Sequence, residues 1–182
     1  MRGKVLLLRR GTLLLILTAL VAAGIFMAVG GPGFVSASAA KRQLPIYSVE
    51  REEKVCAISF DAAWGNEDTQ MLIDILSKYN VKATFFVVGD WVDKYPESVK
   101  ALHDAGHEVM NHSLHHDHYN ALTADQVVAD VTACNEKIAA ITGVTPCLIR
   151  CPYGEYDDHV ISAIRSMGME PIQWDVEQPE TT

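Results

Sequence analysis

From residue 55 onward, apolar positions alternate between short runs suited to strands and longer runs at helical spacing. The first β-rich run covers 55–60, and 66–79 follows with Leu72, Ile73, Leu76 and Tyr79 on one helical face. Residues 83–88, Ala-Thr-Phe-Phe-Val-Val, predict a buried strand. A helix fits 95–105, with Pro96 in its first turn and Gly106 just past its end, before a short strand at 108–111. A long helix is predicted at 124–142, capped by Thr123 and stopped by Gly143, and a strand at 147–150 follows. Residues 157–167 with Gly168 read as another helix, and 169–174 as the last strand. Five such alternations predict an α/β fold on a parallel sheet, either open or closed as a barrel.

The amino end has a different pattern. Arg2, Lys4, Arg9 and Arg10 precede residues 12–29, eighteen positions without a charge and rich in Leu, Ala, Ile and Val. As a helix this run spans about 27 Å, near the hydrocarbon thickness of a bilayer, and the leading cations place its start in the cytoplasm. A cytoplasmic basic segment at 1–11, a transmembrane anchor or signal segment at 12–29, a linker at 30–43 and an exported domain at 44–182 are the expected organisation. Ala37-Ser38-Ala39 has the form of a signal-peptidase site. The apolar run exceeds a usual signal core of about 7–15 residues, which favours an uncleaved single-pass anchor over a secreted product.

Charge sharpens the division. Residues 1–53 hold seven Lys/Arg against three Glu, whereas 54–182 hold eight Lys/Arg against twenty Asp/Glu. An acidic body without clustered cations excludes nucleic acid as a partner. Cys56, Cys134, Cys147 and Cys151 form no Cys-x-x-Cys pair and read as free thiols, although export would permit a disulfide.

The reactive side chains fall at one end of the predicted strands. Asp61 follows the first, His112 and His116 the third, Arg150 and Tyr153 the fourth, and Asp175 the fifth. That carboxyl edge is where parallel α/β folds build sites. Four imidazoles crowd His112-Ser113-Leu114-His115-His116-Asp117-His118, and the spacing of His112 and His116 lets both face one divalent ion. Zinc is the default, and imidazole also suits cobalt, nickel and copper. His115, His118, His103 and His107 read as surface or supporting residues. Asp61 is placed to act as a general base, or simply to cap a turn. Arg150, if buried, needs an anionic partner, for which Asp61 is available.

Three segments in order resemble the polysaccharide deacetylase family, carbohydrate esterase family 4, whose domain is also called the NodB homology domain. They are Ser59-Phe60-Asp61-Ala62-Ala63-Trp64-Gly65, His112-Ser113-Leu114-His115-His116 and Arg150-Cys151-Pro152-Tyr153. The resemblance runs from Lys54 to about Val176 and is closest to the membrane-anchored branch of spore-forming bacteria. It implies a distorted (β/α) barrel that removes N-acetyl groups from a polysaccharide such as peptidoglycan or a chitin-like polymer with a divalent metal. Asp61 would be the catalytic base, His112 and His116 the metal ligands, Arg150 the partner of Asp61, and Tyr153 a backbone N–H donor to the oxyanion.

The sequence departs from that pattern at three places. Ala62 stands where the family's third metal ligand, an aspartate, usually sits, with Asp117, His118 and Glu67 as conceivable substitutes. The Asp-Trp pair of relatives is changed near Glu180-Thr181, and the chain stops at Thr182 before the Leu-x-His strand whose histidine acts as general acid. The expected barrel is therefore incomplete at its carboxyl end. A catalytically impaired module that binds glycan or an assembly partner is the alternative to an enzyme.

Overall fold

The computed structural model describes residues 10–30 and 42–176. The basic stretch 1–9, the linker 31–41 with Ala37-Ser38-Ala39, and Glu180 near the end lie outside the described residues.

Helix α1, Arg10–Gly30, forms a unit separate from the rest. Its Leu13, Leu14, Leu15, Leu17, Leu20 and Val21 are exposed. Among the described residues, no helix is long and apolar enough to cross a membrane.

The second unit carries five parallel strands in sequential order: β1 Ser59–Ala62, β2 Thr84–Val87, β3 Glu108–Asn111, β4 Leu148–Ile149 and β5 Glu170–Pro171. Between them run α2 Thr69–Lys78, α3 Gly89–Lys94, α4 Pro96–Asp104, α5 Ala124–Thr142 and α6 Asp158–Ser166. Ile46 bridges Ile172 beyond β5. Sequential parallel order with crossovers of one hand puts the helices on one face.

Local chemistry explains most boundaries. Thr123 and Gln126 form a reciprocal capping box at the start of α5, and Gly143 ends it with φ 74°. Asp157 caps α6 through the N–H groups of His159 and Val160. Helix α3 was not anticipated, because six residues are too few to show a period. It fits where Gly89 passes Leu114 so closely that a Cβ would lie 2.6 Å from Leu114 Cδ1. The first strand starts later than expected: Val55 and Cys56 are exposed, and pairing with β2 begins only at Ser59↔Thr84.

The core lies between sheet and helices. Phe85, Val87 and Val109 pack with Trp91, Val99, Leu102, Cys134 and Ile138. A second cluster joins Ile149 to Tyr119, Val127, Val131, Val160, Ile164 and Met169 under α5 and α6. Phe60 stacks on Phe85 at 5.1 Å on the helix side, so strand alternation turns Ser59 and Asp61 to the opposite face. Register places Phe86 and then Met110 beside Asp61 on that face.

Candidate functional site

Arg150 and Asp61 meet across that face. Arg150, buried at the end of β4, donates from Nη1 to Asp61 Oδ1 at 2.7 Å and from Nη2 to Ser59 Oγ at 2.7 Å. Its guanidinium lies 4.2 Å from the centroid of Phe86 and 5.6 Å from that of Trp174. Two fixed donors and two aromatic rings hold this arginine where a flexible lysine would not stay. Asp61 thus has one oxygen committed to Arg150, while Oδ2 stands 3.8 Å from His112 Nε2. The carboxylate side chain keeps 33% of its surface exposed, so it is open to a small reactant.

His112 extends β3, donating its backbone N–H to Val87 O. Its Nδ1 lies 2.7 Å from Arg150 O. A carbonyl only accepts, so Nδ1 carries the proton and the lone pair of the neutral ring is on Nε2, beside Asp61. Burial lowers the His112 pKa below the ordinary imidazole value, against the opposite pull of Asp61. Burial also lowers that of His116, again opposed by Asp61. The two rings meet edge to face with centroids 5.0 Å apart, and His116 Nδ1 is buried without a hydrogen-bond partner.

The turn that brings these rings together is held at every step. Ser113 and His116 both adopt positive φ, 74° and 61°, a conformation that non-glycine residues keep only when their surroundings enforce it. Here Asn111 Oδ1 accepts the Ser113 N–H, and Ser113 Oγ accepts the His116 N–H. The Asn111 amide donates to Val131 O and Asn135 Oδ1 on α5. Asp130, also on α5, accepts from the Leu114 N–H and the Tyr119 hydroxyl. Burial raises the Asp130 pKa, and burial together with Asp130 raises that of the Tyr119 phenol.

Tyr153 sits at φ 57° in the turn after β4. The Arg150 carbonyl behind it is taken by His112, and among the described residues no backbone acceptor takes the Tyr153 N–H. Gly154 is required there: at φ +65° a Cβ would lie 2.5 Å from Gln173 Nε2 and 2.9 Å from the Trp174 ring. The Tyr153 ring contacts His116 edge to face at 4.5 Å and stacks on His118 at 4.2 Å.

Asp61, His112, His116, Arg150 and Tyr153 therefore converge as the strand-end reading expected. The other histidines do not join them: His115 pairs with Asp90, which raises its pKa, and His118 pairs with Glu155. Glu67 turns back to the Asn66 N–H, and Ala62 packs against the helix-side core, so neither supplies a ligand. Burial pushes the thiols of Cys134 and Cys151 up to about 12, and both are free thiols, poor nucleophiles at neutral pH. Ser59, Phe86, Asn111, Asp130 and Trp174 were not singled out as site residues. Only Asn111, a polar residue closing an apolar strand, carried a local signal.

The donor chemistry fits a divalent cation in part. His112 offers an unprotonated Nε2 and His116 an unsatisfied ring nitrogen. Among the described residues, however, no group of three or more His, Cys, Asp or Glu side chains could hold a metal ion.

Comparison with known proteins follows the same lines. The family model described as Polysaccharide deacetylase matches residues 48–172. The peptidoglycan-N-acetylmuramic acid deacetylase PdaA of Bacillus subtilis is 34% identical over 131 residues, 71% of this chain and 50% of that protein. Chitin deacetylase 1 of Cryptococcus neoformans is 35% identical over 123 residues, 68% of this chain and 26% of that one. The chain spans half or less of the length of these two curated relatives. The crystal structure of a CE4 family pseudoenzyme from Bacillus anthracis superimposes with a TM-score of 0.69 at 33% identity, covering 72% of this chain and 47% of that one. With the family model covering well over half of its length, the chain belongs to the polysaccharide deacetylase family.

Proposed function

We propose that this chain carries a metal-assisted N-deacetylase site acting on a cell-envelope polysaccharide. The observation that carries the reading is the contact of Asp61 with Arg150 on one oxygen and its approach to the neutral His112 on the other. His112 and His116 would hold the ion, zinc by default with cobalt or nickel as alternatives, which polarises an amide carbonyl and activates water when bound. Asp61 Oδ2 accepts the proton of the attacking water while Arg150 fixes the carboxylate. The Tyr153 N–H donates to the developing oxyanion. Two of the relatives are by name a peptidoglycan-N-acetylmuramic acid deacetylase and a chitin deacetylase, which supports an N-acetylated glycan as the substrate class.

In this reading the sheet is the arc of a (β/α) barrel, and α1 tethers the domain to the membrane with the site outside the cytoplasm. The exposed leucines of α1 support the tether, since such a surface is unfavourable in water. Membership of the sporulation branch belongs to the same proposal.

Two observations favour a second reading, a glycan-binding module with impaired catalysis: Ala62 offers no third ligand, and a pseudoenzyme is among the similar structures. Acetate release from an N-acetylated glycan separates the two. The deacetylase reading expects zinc-dependent release that falls at least 100-fold in Asp61→Asn, a loss typical of removing a general base. Release that requires Ala62→Asp would instead favour the impaired module.

A further inference from the structure

Trp64 has no part in the chemistry just described, yet it stands at the mouth of the site. Its side chain is 83% exposed, unusual for the largest apolar ring, and its centroid lies 6.0 Å from that of His116. His116 also contacts the ring of Tyr153, itself 56% exposed, at 4.5 Å. The Tyr153 ring is backed by His118, which Glu155 holds by its Nδ1. Two exposed aromatic rings thus stand against one metal-ligand candidate, and one of them is stacked on a second imidazole.

We infer that Trp64 is a binding residue for the glycan, stacking on the apolar face of a pyranose ring next to the sugar held at His116 and Tyr153. The inference rests on the deacetylase-family reading of the site and specifies how far the site reaches: Trp64 extends it to a glycan chain of more than one sugar rather than a single sugar. A sugar ring presents C–H groups on its faces and hydroxyls at its edge, so it matches an aromatic ring set in polar surroundings. Because Trp64 touches the chain beyond the reacting sugar, its contribution should grow with the number of sugars bound.

The test measures binding of chitotetraose and of N-acetylglucosamine to the zinc-loaded full chain by calorimetry. Wild type should bind the tetramer, Trp64→Ala should weaken that binding roughly tenfold, and Trp64→Phe should recover most of it. Affinity for the monosaccharide should change less than twofold, and the thermal midpoint should not move, since the ring is exposed. Equal tetramer affinity in wild type and Trp64→Ala, or no tetramer binding by wild type, would overturn the inference. Acetate release in the same samples keeps the two readings apart. Release indifferent to Trp64 removes the stacking role and leaves the deacetylase reading standing, whereas Trp64-dependent binding without release does the reverse.

Discussion

At the scale of single residues, burial sets the protonation of two imidazoles, His112 in the site and His107 at the other end of β3. His112 and His107 are buried, and burial lowers the pKa of each below the ordinary imidazole value. Lys82 adds to the shift at His107, while Asp61 opposes it at His112. Above about pH 7.5 the folded and unfolded chains both keep these rings neutral, so stability does not depend on them. As the pH falls below that value, the unfolded chain takes up protons that the fold resists, and stability is lost until the lower folded pKa is reached. The metal-free protein should lose about 1–2 kcal/mol of unfolding free energy between pH 6.5 and 5.5 by urea denaturation, with a flatter profile in His107→Gln. His115, raised by Asp90, has the opposite sign but is too exposed to dominate. Stability that holds level or rises over that interval would contradict this account of the two buried rings.

At the scale of elements, the turn after β3 is the structure on which the site hangs, and α5 holds it. Asp130 is the key support, because its Oδ1 accepts from both the Leu114 N–H and the Tyr119 hydroxyl in partly buried surroundings. Asp130→Ala leaves two donors unsatisfied and should cost about 2–4 kcal/mol, whereas Asp130→Asn keeps an acceptor and should cost less than half of that. Chemical denaturation of both variants checks the order, and equal costs would show that the acceptor is not what matters. Helices were legible in the sequence where they advertise their ends: Thr123 and Gly143 bracket α5 as predicted, and Asp157 marks the start of α6. Helix α3 and the onset of β1 were not, because one is shorter than two turns and the other is decided by where β2 offers a partner. Asp130 escaped notice for a similar reason, since an acidic residue in an amphipathic helix looks like a solvated one until the turn is laid over it.

At the scale of the whole molecule, the chain's strands deliver chemistry to one edge, and that was readable from order alone. Asp61, His112, His116, Arg150 and Tyr153 were each placed at a strand's carboxyl end by the hydrophobic pattern, and the resemblance to a known family supplied the roles that spacing could not. What remained hidden were contacts between distant positions: Ser59 and Arg150 are 91 residues apart, and nothing in either segment announces their hydrogen bond. Trp174 against Arg150 is of the same kind. The central claim is that His112 and His116 form one cation site beside the Asp61 and Arg150 pair, and the most direct test is calorimetric titration of zinc into the full chain at pH 7.5. The account predicts about one ion per chain, weakly held by two imidazoles, and no binding at this site in the His112→Ala, His116→Ala double variant. Equal stoichiometry and affinity in wild type and the double variant would contradict it.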